Sequence, residues 1–154
     1  MTDAQPPVAP PSAAPPSTAR PEDTEAARRL LHRYARAVDG RDEAMLASVL
    51  APDAVLHRAD GPRTGRAEVL SFYRSVFDGP TVWSAHLVTN VDADPVPDGL
   101  AVTALFQAVS RTATEGRVIY GEYRNLLGRD GDGLRIQEMT IEIQQIFPLE
   151  VSGA

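Results

Sequence analysis

The stretch Val82 to Asp92, V-W-S-A-H-L-V-T-N-V-D, decides how this chain is read. It is rich in Val, Thr, Trp and Leu and contains no Gly or Pro. It lies between Asp78-Gly79-Pro80 and a turn-forming run from Asp94 to Gly99. β-Branched and aromatic residues between turn clusters specify a strand. Alternation places Val82, Ser84, His86, Val88 and Asn90 on one face and Trp83, Ala85, Leu87, Thr89 and Val91 on the other. The second face is apolar but for one Thr, and the first carries an imidazole and an amide among valines. A strand apolar on both sides is expected to be covered on both, which puts His86 in a partly dry environment.

The period of two continues toward the C-terminus. After the expected loop at Asp94 to Gly99, a strand is read from about Leu100 to Thr112. A turn at Thr114-Glu115-Gly116 leads to a strand from Arg117 to Leu127. A second turn, Arg129 to Gly133, leads to the last strand, Leu134 to Phe147. Short connections make these strands antiparallel neighbours. Strands of roughly 11 to 13 residues exceed the usual length, so they are expected to bend at bulges.

Toward the N-terminus the period becomes helical. Acidic residues gather at Pro21-Glu22-Asp23-Thr24, and Ala27, Leu30, Leu31, Tyr34, Ala37 and Val38 follow at helical spacing up to Gly40. Asp42 caps a short second helix that Pro52 stops. Ala54 to His57 reads as a short strand and Asp60 to Arg63 as a turn. Thr64 opens a third helix with Val69, Phe72, Tyr73, Val76 and Phe77 on one stripe. Residues 1–21, with six prolines before Arg20, read as a disordered leader, 22–148 as one domain, and 149–154 as a flexible tail.

The fold class is therefore α+β: three N-terminal helices packed on a strongly curved antiparallel sheet, forming a cone-shaped barrel with an internal pocket. Composition narrows the chemistry. There is no Cys, which excludes disulfides, thiolate metal sites and a Cys nucleophile. All 15 basic side chains are Arg, which excludes Schiff-base chemistry through a lysine. A net charge of −6 without a basic run argues against nucleic acid or an anionic membrane as partner. No run approaches about 18 apolar residues and no signal peptide is read, so a cytoplasmic protein is expected. No two histidines show metal-ligand spacing, so no metal is expected; His32 and His57 read as structural or surface residues.

Six short patterns, in order, resemble the SnoaL-like branch of the nuclear transport factor 2-like superfamily. They are Tyr34-x4-Asp39-x2-Asp42, Pro52-Asp53-Ala54-Val55, Gly65-Arg66, His86-Leu87-Val88-Thr89-Asn90, Gly121-x-Tyr123 and Gly131-x-Gly133-x-Arg135-Ile136. The resemblance covers Glu22 to Phe147. It implies a polyketide cyclase, dehydratase or isomerase type of protein, mostly cofactor-free and often dimeric through the outer face of the sheet. It also implies that Tyr34, Asp39 and His86 line the cavity. The strand acid of one dehydratase type has no counterpart, Gln107 being the nearest polar residue. The Arg-x-Asp pair of limonene-type epoxide hydrolases is missing as well.

Each catalytic candidate carries a functional and a structural reading. His86 is a proton carrier near neutral pH or a core histidine held by a backbone carbonyl. Asp39 orients His86, acts as the base itself, or is a solvated turn residue. On an ideal helix it lies about 140° from Tyr34, so the two face one cavity only if the helix loosens before Gly40. Tyr34 is a core aromatic or a donor to a substrate oxygen. Tyr73, Trp83, Asn90, Phe106, Gln107 and Tyr123 are the candidate substrate contacts. The expected function is acid/base chemistry on a small, apolar, oxygenated, polyketide-like molecule, by cyclisation, dehydration or isomerisation, in a homodimer without cofactor. The alternative is a non-catalytic ligand-binding or accessory subunit.

Overall fold

The computed structural model describes residues 19–131 and 133–151. The expected leader therefore lies, up to residue 18, outside the described residues, as do residues 152–154 of the expected tail. Three helices precede most of the sheet: α1 (Pro21–Asp39), α2 (Glu43–Val49) and α3 (Arg66–Phe77). Six strands follow or intervene: β1 (Leu50–Arg58), β2 (Gly61–Thr64), β3 (Trp83–Val96), β4 (Gly99–Arg111), β5 (Gly116–Asp130) and β6 (Gly133–Leu149). They form one sheet in the order β2-β1-β6-β5-β4-β3.

Local chemistry accounts for the helix ends. Pro21 opens α1, where a missing N–H costs nothing, and Glu22 and Asp23 meet the positive end of the dipole. Asp23 also accepts from Arg20 at 3.0 Å and from Arg129 at 3.2 Å, tying the start of α1 to β5. The Asp42 carboxylate caps α2 by accepting from the Met45 N–H at 2.8 Å. The helices lie in the hollow of the sheet. Leu31, Leu46, Val49, Val69, Leu100, Leu127, Ile136 and Met139 are each 2% exposed or less. At ~1.5–3 kcal/mol for each fully buried aliphatic side chain, this layer dominates the stability.

The sheet differs from expectation in four ways. It is mixed, because β1 runs parallel to β6, with Leu56 opposite Met139 and His57 opposite Thr140. The expected turn at Asp60 to Arg63 overlaps strand β2, which pairs with β1 from Val55–Thr64 to Arg58–Gly61. The expected Asp94–Gly99 loop is strand down to a tight turn at Pro97-Asp98, with Val96 opposite Gly99. The cone is not a closed barrel: β2 and β3 are free edges. The predicted bending is present, with register shifts between Thr89 and Asp92, Tyr120 and Gly121, and Leu126 and Leu127.

The face of β3 opposite His86 is uncovered in the single chain. Trp83 and Leu87 are 53% and 57% exposed, which corrects the expectation that both faces are buried. No helix among the described residues is long and apolar enough to cross a membrane.

Candidate functional site

Strand register lays out the inner wall in rows. Ser84 lies opposite Ser110, which lies opposite Arg117; His86 opposite Ala108, then Ile119, then Ile146; Val88 opposite Phe106, then Gly121, then Ile143. Beside His86 stands an alanine, so the wall is hollowed there. The cavity above it has a volume of about 410 Å³, within the range of small-ligand pockets.

Asp39, the last residue of α1, reaches β3 rather than the cavity. Its Oδ1 accepts from His86 Nδ1 at 2.6 Å and from the Ser84 hydroxyl at 2.9 Å, and its Oδ2 accepts from the His86 backbone N–H at 2.8 Å. This answers the helical-wheel difficulty: Tyr34 points into the hollow, and Asp39 points sideways to hold the strand. Burial pushes the Asp39 carboxyl up, but the bonds from the His86 ring, its backbone and Ser84 together outweigh it and hold the carboxyl below its ordinary range. An ionised carboxylate only accepts, so in the neutral imidazole the proton sits on Nδ1 and Nε2 keeps its lone pair. The His86 and Asp39 side chains are 18% and 22% exposed, and the imidazole lines the cavity.

Tyrosines occupy the far wall. The Tyr34 and Tyr73 hydroxyls are hydrogen-bonded to each other. Tyr123 stacks on Phe106 at 4.4 Å between centroids and meets Tyr34 edge-on at 5.9 Å. Burial raises the pKa of all three phenols, so they remain protonated donors. Two hydroxyls sharing one hydrogen bond still have a second proton to offer a ligand.

Tyr34, Tyr73, Phe106, Tyr123 and His86 thus come together on one cavity. Trp83, Asn90 and Gln107 do not. Trp83 and Gln107 alternate with the inward Ser84, Phe106 and Ala108, so they point to the outer face. Asn90 has φ +51° at the register shift of β3, which breaks the alternation that would have aligned it with His86. Ser84 and Arg58 line the cavity without having been singled out. A signal for each was present. Ser84 is two residues before His86, and Arg58 is two after the buried Leu56 and four after the buried Ala54, on one strand face. Among the described residues no three His, Asp or Glu side chains are grouped so as to hold a metal ion.

A cone of curled sheet and three helices with this inner wall is the nuclear transport factor 2-like architecture. Within it, the chain belongs to the SnoaL-like family, whose domain model matches residues 19–140. Among solved structures it is similar to hexachlorocyclohexane dehydrochlorinase LinA type 2, with 20% identity over 84% of this chain and 91% of that one and a TM-score of 0.76. It is also similar to a protein of Novosphingobium aromaticivorans DSM 12444 provisionally assigned as a scytalone dehydratase, with 17% identity over 86% and 91% and a TM-score of 0.76. LinA type 3 from Novosphingobium barchaimii LL02 aligns at 19% identity over 81% and 88%, with a TM-score of 0.74. No curated protein matches the sequence.

Proposed function

We propose that this protein is a cofactor-free enzyme that moves a proton on a small, apolar, oxygenated, polyketide-like substrate. The observation that carries the reading is the His86–Asp39 pair at 2.6 Å with the imidazole on a cavity wall. His86 Nε2 takes a proton from carbon next to a carbonyl. The C–H electrons pass to the carbonyl oxygen, and the free proton of the Tyr34–Tyr73 pair, or that of Tyr123, stabilises the resulting enolate. Imidazolium then returns the proton to another carbon, giving isomerisation, or to a departing hydroxyl, giving dehydration; attack by the enolate carbon on a second carbonyl gives ring closure, the carbonyl π electrons passing to its oxygen, which takes the proton from imidazolium. A positioned base supplies ~10²–10⁴-fold and a preorganised oxyanion donor ~10²–10³-fold. The open cavity supports this reading over that of a structural subunit, which has no use for the space.

The same proposal has the enzyme acting in the cytoplasm as a homodimer joined by the outer sheet face. That face presents Trp83, Leu87, Leu105, Tyr120 and Phe147, each between 41% and 57% exposed in the single chain. The catalytic reading is tested by proton exchange in D₂O, followed by ¹H NMR, on cyclic ketones with and without a carboxylate substituent. The protein is expected to accelerate exchange beside the carbonyl, and His86→Ala to lose ~10²–10⁴-fold of that acceleration. A folded His86→Ala protein with undiminished exchange would rule the reading out.

A further inference from the structure

Arg58 ends β1 on the strand face that Ala54 and Leu56 bury, 1% and 2% exposed. Following His57, which is opposite Thr140, it falls level with Ile141 and so with Tyr123, Ile141's partner on β5. Strand β1, which carries Arg58, lies toward the opposite edge of the sheet from β3, which carries His86, yet the curl brings both side chains to the wall of one cavity. It is half-buried, with its guanidinium 5.3 Å from the centre of the Phe72 ring. Among the described residues the guanidinium has no hydrogen-bond or ion-pair partner.

Its neighbours show how unusual this is. Arg63, stacked on the same ring at 4.4 Å, is held by both oxygens of Asp60 at 2.7 and 2.6 Å. In the adjoining hollow that Arg58 also lines, Glu142 is engaged by Arg124 at 2.9 Å. The cavity lining contains three arginines, Arg41, Arg58 and Arg117, and no Asp or Glu, in a chain of net charge −6. Arg41 is bonded to the Thr81 carbonyl and Arg117 lies 3.6 Å from Glu115, which leaves Arg58 as the unengaged fork. Tyr123, 1% exposed, also lines the cavity with no hydrogen-bond partner for its hydroxyl among the described residues.

The Arg58 charge acts on Asp60, but both oxygens of that carboxylate are held by Arg63. A half-buried guanidinium without a hydrogen-bonded counter-ion loses hydration that a ligand can replace. Its planar fork matches a carboxylate or a phosphate bidentately, and the largely apolar lining favours the singly charged carboxylate over the more strongly hydrated phosphate. We propose that Arg58 is the specificity residue of the site and that the substrate is a flat, apolar-bodied carboxylic acid. Its carboxylate pairs with Arg58, its ring lies among the aromatic walls, and its reacting carbon is presented to His86. Arg58's positive charge also opposes the rise in pKa that burial imposes on Tyr34, Tyr73 and Tyr123, as expected if it faces their hydroxyls.

This inference rests on the cavity being a substrate site, and its test requires no turnover. Calorimetric titration at neutral pH and low salt compares naphthalene-2-carboxylate with its neutral isostere 2-naphthamide. The carboxylate is expected to bind at least about tenfold more tightly, the value of one charge-assisted hydrogen bond. Arg58→Met should abolish the difference while keeping amide binding, which also shows that the variant is folded. Arg58→Lys, with charge but no fork, should keep part of it. His86→Ala should keep all of it, so loss of proton exchange and loss of anion preference are separable results. Equal binding of the two ligands, a preference that survives Arg58→Met or vanishes in His86→Ala, or binding of neither would overturn the proposal.

Discussion

At the scale of single residues, the site depends on how many donors one carboxylate satisfies. Asp39 accepts from the His86 ring, the His86 backbone and Ser84. An amide accepts at one atom only, so Asp39→Asn sets at least one donor against an NH₂ group. The expected cost is ~1–3 kcal/mol of stability, with a loss of proton transfer of ~10²-fold or more because the imidazole is no longer oriented. The pH dependence has a definite sign. The folded-state pKa of Asp39 lies below its ordinary value of 3.8. Its stabilisation is therefore complete above that value and lost as pH falls through the lower folded-state value. Urea unfolding of wild type and Asp39→Asn should show a gap that narrows as pH falls below about 3.8; a gap that goes on widening below that value would contradict this. The Tyr34–Tyr73 pair gives a second test. Tyr34→Phe and Tyr73→Phe should each cost ~1–3 kcal/mol by orphaning the other hydroxyl. The double variant should cost less than the sum, because it removes both groups at once; strict additivity in denaturation would show that the hydroxyls do not interact.

At the scale of elements, the inner wall is shaped by a glycine and a bulge. A Cβ at Gly121 would overlap the Glu142 carbonyl oxygen and the Phe106 ring, so Phe106 lies flat across bare backbone and stacks on Tyr123. Gly121→Ala is expected to destabilise the protein by ~1–3 kcal/mol, read by thermal unfolding, and to shrink the cavity by displacing Phe106. An unchanged melting temperature would mean that the ring is not seated there. This contact also marks what the sequence could reveal. The helices, β4, β5, β6 and their hairpins were legible because their signals are local: periodicity, caps, and turns rich in Gly and Asp. The parallel pairing of β1 with β6 joins residues some 80 apart in sequence, such as Leu56 and Met139, and leaves no local trace. Alternation extended through the bulge sets Asn90 in line with His86, whereas the register shift takes it off the cavity lining. Arg58 is left off its strand by periodicity alone, which ends the strand at His57, one residue short of the β1 terminus.

At the scale of the whole molecule, two surfaces of one sheet divide the work: the concave side carries the His86–Asp39 pair and the cavity, and the convex side carries the uncovered apolar face. Sedimentation should show a dimer, and Leu105→Glu, central on the convex side, should shift it to monomer without disturbing the cavity; a wild-type monomer would contradict the proposed pairing. The SnoaL-like assignment fixes the architecture, whereas the chemistry rests on which nitrogen of one imidazole is free. The most direct test is the tautomer of His86 by ¹⁵N-detected NMR of the uniformly labelled protein, assigned with His86→Gln. The account predicts, for the neutral ring, a protonated Nδ1 coupled to Asp39 and an unprotonated Nε2 facing the cavity. The opposite tautomer, with the proton on Nε2, would leave no base on the cavity wall and would contradict it.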